Sequence, residues 1–248
     1  MTQATSRSIL AIGGADRTGF LQDLVSNDVT RAADGLVYAA LLTPQGKYLA
    51  DFLLHDDGAR MLLDVATPLA AGLVQRLTMY RLRRDVSIDA APVQVRRGTG
   101  PAPDGALADP RHPALGWRLY GASGGSDGTD WDAVRVAHCI PESGIELIAN
   151  DSYILECGFE RLHGVDFRKG CYVGQEVTAR MKHKTQLRKG LTTVEVDGTA
   201  PVGTAIVNQG KAVGTLYTQA GGQAIAYLRL DRAGPDMQAG AARVHFDA

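Results

Sequence analysis

Lys169-Gly170-Cys171-Tyr172-Val173-Gly174-Gln175-Glu176 is the most constrained stretch of this 248-residue chain. Two glycines bracket a cysteine, so the backbone can bend tightly there and the thiol is presented rather than packed. Lys169 and Arg168 set two positive charges beside it. A nearby cation pulls a cysteine below its ordinary pKa of about 8.5, toward the thiolate that attacks electrophiles or ligates metals. A free cysteine is equally at home as a small core hydrophobe, and these residues alone leave both readings open.

Outside that stretch the composition is ordinary for a folded protein, with 45% apolar and 21% charged residues. The length fits one large or two modest domains. With 26 basic and 27 acidic residues the net charge is −1, so no global field points to nucleic acid or to a membrane. The longest apolar run, Leu36 to Leu42, falls far short of the ~20 residues that cross a bilayer. Near the start, Ile9-Leu10-Ala11-Ile12 before Gly13-Gly14 is too short for a signal-peptide core, which makes a cytoplasmic address the default expectation. Cys139, Cys157 and Cys171 are odd in number and lack a C-x-x-C pair. Neither a disulfide framework nor a self-sufficient four-thiolate site is therefore expected, and Cys139 and Cys157, on apolar stretches, read as core.

Periodicity predicts a strand over Ser8 to Ile12, a short helix around Phe20, Leu21, Leu24 and Val25, and a meander of strands over Leu36 to Leu42, Lys47 to His55 and Arg60 to Val65. Thr67-Pro68 marks a helix start, and Leu69, Leu73, Leu77 and Tyr80 recur at helical spacing up to the basic end Arg81, Arg83, Arg84. Short strands are expected at Val86 to Ile88 and Val93 to Val95, and loops over 97–108 and 121–130. Trp131 to Cys139 and Asp151 to Leu162 read as helices, the second N-capped by Asp151. Beyond Lys189 the texture turns to short β-type runs, with a hairpin signal at Asn208-Gln209-Gly210. The fold class is α+β, closing in a small C-terminal β-barrel or sandwich.

Followed by Thr178-Ala179-Arg180, the opening stretch resembles the signature of the YgfZ family of folate-binding proteins, whose mitochondrial members are iron-sulfur assembly factors. Further pieces fit in order: Ser26-Asn27-Asp28-Val29, Pro44-Gln45-Gly46-Lys47 leading to Asp51, Asp109-Pro110-Arg111 with Gly116-Trp117-Arg118, and Leu187-Arg188-Lys189-Gly190-Leu191. The resemblance implies an aminomethyltransferase-like, tetrahydrofolate-binding region over residues 1–187, a C-terminal β-barrel over 188–248, and a role in maturing iron-sulfur proteins. It implies Cys171 and Lys169 as the functional pair, and Asn27, Trp117, Arg118, Gly170, Tyr172, Gly174, Gln175, Glu176 and Arg180 as folate or loop contacts.

The residues themselves are compatible with this. Alternation along Lys47 to His55 puts Tyr48, Ala50, Phe52 and Leu54 on one face and Leu49, Asp51, Leu53 and His55 on the other. Asp51 thus stands in an apolar row and needs donors, which a pterin's amino group and ring N–H would supply; a turn cap or an internal arginine would serve equally. Glu146 and Glu156 are also carboxylates beside apolar residues; each reads either as a second ligand contact or as the solvated face of its element, with Glu156 the preferred contact. From Arg161 to Lys189 (Arg161, Arg168, Lys169, Arg180, Lys182, Lys184, Arg188, Lys189, against Asp166 and Glu176) the balance is +6. That patch suits a folate's glutamyl tail, an acidic partner, or RNA; with 6% aromatics and no stacking motif, RNA ranks below folate. A Cys171 pair with His163 or His183 lacks any sign of oxyanion donors.

The reading that best joins these features is an assembly factor that binds a reduced folate and lends Cys171 to an iron-sulfur cluster. A four-iron cluster takes four thiolates, so the other ligands would come from a carrier protein. The alternatives are a folate-dependent aminomethyl transferase with Asp51 assisting proton transfer, and a tRNA-modification accessory protein. Whether the chain turns over as an enzyme stays open at this level.

Overall fold

In the computed structural model, which describes residues 6–183 and 187–247, the chain opens with strand β1 (Arg7–Gly13) and helix α1 (Arg17–Gln22). Lys184 of the basic run and the first five residues lie outside the described part. Strands β2 (Val37–Leu42), β3 (Tyr48–Asp56) and β4 (Met61–Ala66) form the expected antiparallel meander, each an apolar run cut from the next by a polar turn. Helix α2 (Thr67–Arg81) carries Pro68 in its first turn, where a missing N–H is harmless, and buries Leu73 and Leu77 against the sheet. Strand β5 (Ser87–Ala90) pairs with β1 and completes the order β2-β3-β4-β1-β5.

A second sheet packs across the other face. It consists of β6 (Gln94–Gly98), β7 (Leu107–Ala108), β8 (Trp117–Gly121) and β9 (Gly125–Ser126) in the order β7-β8-β6-β9, so parts of both segments expected as loops are short strands. Helix α3 (Trp131–Ala137) is N-capped by Asp130, whose side chain accepts from the Ala133 N–H. The expected helix over Asp151 to Leu162 is a series of turns instead. Gly158 takes a positive φ of 76°, and the segment spends its backbone on neighbours: Tyr48 N–H donates to Ser152 O, and Leu191 N–H to Glu156 O. Helix α4 (Gln175–His183) follows the glycine-cysteine stretch. Among the described residues, no helix is long and apolar enough to cross a membrane.

Strands β10 (Lys189–Asp197), β11 (Thr204–Asn208), β12 (Lys211–Ala220), β13 (Gln223–Arg229), β14 (Met237–Ala239) and β15 (Ala242–His245) close into a barrel. Gln209 and Gly210 both have positive φ between the paired Asn208 and Lys211, the two-residue turn whose twist matches the flanking strands. A buried lock joins barrel to body. Glu146 accepts from Arg135 Nη1 at 3.0 Å and from the Thr218 hydroxyl at 2.5 Å, and Arg135 Nη2 also reaches Thr218 Oγ1 at 2.9 Å. Glu146, read from sequence as a ligand contact or a solvated residue, is thus an interdomain tie.

Two local features place the site. The β2–β3 register shifts at Leu42, which pairs with Tyr48 after Leu41 has paired with Ala50, so Leu49 is the extra residue of a bulge. Strict alternation put Tyr48 with Ala50 and Phe52; the bulge turns it to the Asp51 side, into the core with Tyr38 and Leu53. The β2–β3 turn then seats on the cysteine loop. A Cβ on Gly174 (φ 82°) would lie 2.6 Å from Thr43 O, whereas nothing lies within 4 Å of one on Gly170. Gly174→Ala is therefore expected to lower the unfolding free energy by about 2 kcal/mol or more, and Gly170→Ala to stay within about 0.5 kcal/mol of the parent, both read from urea midpoints.

Candidate functional site

Asp51 is buried on β3 and accepts three hydroxyl hydrogen bonds, from Tyr38 to Oδ2 (3.0 Å) and from Tyr48 (2.7 Å) and Ser143 (2.5 Å) to Oδ1. The donors a buried carboxylate requires thus come from the protein, neither from a turn nor from an arginine. Burial, and then the Asp51 charge, push both tyrosine hydroxyls well above their ordinary pKa, so they remain donors. Of roughly four lone-pair positions on a carboxylate, one remains open, on Oδ2.

Beside Asp51 runs a buried ladder of charges. Arg7 Nε donates to Asp64 Oδ1 at 2.6 Å, and Arg118 bridges Asp64 Oδ2 and Asp109 Oδ2, each at 2.9 Å. Arg111 closes on Asp109 through Nε (2.9 Å) and Nη2 (2.7 Å), and its guanidinium lies 5.3 Å from the centre of the Tyr38 ring. The Tyr120 hydroxyl adds a third contact to Asp64 at 2.9 Å. Burial alone raises both carboxyls, but the arginines outweigh it and hold Asp64 and Asp109 below the usual carboxylate range. Between the sheets a recess of about 220 Å³ opens past His55 and Tyr120.

On the cysteine loop, Cys171 is exposed while Tyr172 turns inward to join Tyr38 and Tyr48 in one core. Lys169 sits 4.9 Å over the Tyr172 ring, but its ammonium is tied to the carbonyls of Gln22 (2.5 Å) and Val25 (2.6 Å), with no hydrogen bond to the thiol. Burial lowers its pKa to about 8. Its influence on Cys171 is one of charge alone, and its geometric work is to tether the loop. The other two thiols are less accessible: Cys157 is in the core as expected, but Cys139 is only half-buried, and burial pushes Cys139 up to about 11 and Cys157 up to about 12.

The remaining sequence candidates divide. Gln175 opens α4, with Glu176 and Arg180 exposed on the same helix near Cys171. Asn27 spends both amide hydrogens, on Tyr38 O and His163 O at 2.7 Å each, and braces the loops. Trp117 is turned away from Arg118, because neighbours on a strand face opposite sides, and its indole N–H donates to Gly100 O at 2.9 Å. Glu156 accepts from Tyr227 of the barrel at 2.6 Å and is a body-to-barrel contact rather than a partner of Asp51. Sequence reasoning missed Asp64, Tyr38, Tyr48, Ser143 and Arg7. Asp64 alone carried a usable signal, an acid inside the apolar run Leu62 to Val65.

A depressed carboxyl contributes stability that is present above its unfolded pKa of about 4 and is lost as pH falls through the folded value. The urea midpoint is accordingly expected to hold from neutral pH down to about 4 and to drop below it. Asp109→Asn should cost about 3–5 kcal/mol at pH 7, by stranding Arg111 and Arg118, and should flatten that acid limb. Iodoacetamide at pH 8 is expected to modify Cys171 alone in the folded chain and all three cysteines after unfolding, as read by mass spectrometry; a native protein with Cys171 unlabelled would contradict its exposure.

Residues 188–248 match the family model described as the CAF17 C-terminal beta-barrel domain. The chain is 32% identical over 236 residues to the iron-sulfur cluster assembly factor IBA57 homolog, mitochondrial, of Mycosarcoma maydis, covering 81% of this chain and 59% of that protein. It is 30% identical over 270 residues to the human iron-sulfur cluster assembly factor IBA57, mitochondrial, covering 90% of this chain and 75% of that one. It spans little more than half the length of its fungal relatives. The glycine cleavage system aminomethyltransferase T of Bartonella henselae superposes with a TM-score of 0.74 over 97% of this chain and 82% of its own, at 12% identity, which establishes the fold. The cytoplasmic expectation is overturned by these relatives, which are named as mitochondrial proteins. They also make IBA57, and not YgfZ by name, the point of attachment. With the human relative matched over three quarters of its length on an aminomethyltransferase-like body with its barrel, the chain belongs to the IBA57 family of iron-sulfur cluster assembly factors.

Proposed function

We propose that this protein assists the assembly or repair of iron-sulfur clusters on client proteins, with Cys171 as the thiolate it lends to the cluster and a reduced folate, tetrahydrofolate or a relative, bound in its body. The observation that carries the reading is the partition of its cysteines: Cys171 is exposed on a glycine-flanked loop, while Cys157 is buried and the half-buried Cys139 is held protonated by its surroundings, its pKa pushed up to about 11. One thiolate supplies one iron ligand, and the cluster, as cargo, needs the rest from a carrier protein. Arg168 and Arg180, both exposed and on either side of Cys171 in the sequence, favour an acidic carrier. The names of the relatives support the role, and the aminomethyltransferase-like fold supports the folate.

The donor set fits a pterin in part. Asp51 keeps one acceptor position, and rotation of the Tyr48 or Ser143 hydroxyl frees a second. Tyr38, Tyr48 and Tyr172 supply an apolar, aromatic surround. The domain division at residue 187/188 belongs to the same reading, the body holding the folate and the barrel bracing it through Glu146.

Cluster transfer from a loaded carrier protein to an apo client, followed by the client's visible absorbance, is expected to proceed with the parent chain and to fall at least tenfold with Cys171→Ala. Transfer at the parental rate in that variant would remove the thiol from the function.

A further inference from the structure

Arg97 lies on β6 opposite Arg118, on the side of the strand that faces the ladder. Its guanidinium carbon stands 4.1 Å from the centre of the buried Trp131 ring, and the Trp131 indole is itself held by the Ser126 hydroxyl at 2.8 Å. Arg97 is half-buried, and no described residue gives it a carboxylate partner. Glu142, the acid whose charge reaches it, makes no hydrogen bond to it and lies 3.9 Å from Arg135 Nε. Its other charged neighbours are Arg118, Arg111 and Arg7, whose own carboxylates are spent within the ladder. Burial, followed by the charge of Arg118, lowers Arg97 to about 10. A guanidinium held over an indole, among like charges, is in a state that an arriving anion relieves.

We propose that Arg97, backed by Trp131, anchors the carboxylate of a small ligand: given the folate reading above, on which this rests, the glutamyl end of the bound folate. A planar fork meets a carboxylate through two parallel N–H donors, and Trp131 holds the fork in place, so little freedom is lost on binding. The aromatic and hydroxyl groups around Asp51 would then take the ring system, and the cation at Arg97 the charged tail.

The test compares three probes on the parent chain and on Arg97→Gln: tetrahydrofolate, tetrahydropteroate, which lacks the glutamate, and p-aminobenzoylglutamate, which lacks the pterin. Dissociation constants come from calorimetry, with thermal melting confirming that the variant is folded. The parent is expected to bind tetrahydrofolate about tenfold or more tightly than tetrahydropteroate, and Arg97→Gln to abolish that preference while leaving tetrahydropteroate unchanged. A preference that survives in Arg97→Gln overturns the anchor and leaves the folate reading intact. Binding of p-aminobenzoylglutamate that is lost in Arg97→Gln, with neither pteridine bound, upholds the anchor and overturns the folate reading. Binding of none of the three by the parent overturns both.

Discussion

Asp64 sits inside an apolar strand with guanidinium groups on two sides, and the whole body is arranged so that this carboxylate is never left alone. Arg7 comes from the first strand of the large sheet, Arg118 from the small sheet, and Asp109 and Arg111 from the loop before β8. A single unpaired charge at this depth would cost several kcal/mol, so each of these segments has one acceptable position relative to the others. Within the ladder three guanidinium groups face two carboxylates. Glu142, whose charge reaches both Arg7 and Arg111, is the further acid nearby, and Asp51 is joined to the ladder through the Tyr38 ring and hydroxyl. The ladder therefore sets register as much as it adds stability, because alternative packings strand an ion.

From that anchored centre the chemistry grades outward. Tyr172 roots the cysteine loop in the same core as the tyrosines of Asp51, Lys169 ties it back to the carbonyls behind α1, and Gly174 lets the β2–β3 turn close against it. The thiol at the end of this fixed loop stands exposed on a backbone that is already ordered. Among the described residues, the barrel makes no hydrogen bond or ion pair to Cys171. Its hold on the body, through Glu146, Arg135 and Thr218, is as deeply buried as the ladder and keeps the two parts in one arrangement.

Much of the architecture was legible because it rests on local pattern. The meander, α2, the barrel strands and the turn at Gln209-Gly210 follow from alternation, from a proline at a helix start and from residues that tolerate positive φ. The failures are equally physical. Asp151 to Leu162 has helical spacing, but Gly158 and pairing to β3 and β10 claim its backbone. Trp117 and Arg118 are adjacent in sequence and therefore opposed in space. Lys169 next to Cys171 suggested a thiolate partner, yet a long flexible ammonium goes to the best acceptors in reach, and those were two carbonyls about 145 residues earlier in the chain.

What the chain determined by itself was the identity of its chemistry: an isolated thiol between glycines, acids in apolar strands, and a motif long enough to mark a family. Which acid meets which arginine, which cysteine reaches solvent and which face Tyr48 presents were decided only by the tertiary structure. Hydrophobic period and turn preference act over a few residues and can be read along one dimension. Charge pairing and exposure depend on segments brought together from 50 to 100 positions away, through a bulge that reverses a strand's facing without any mark in its composition.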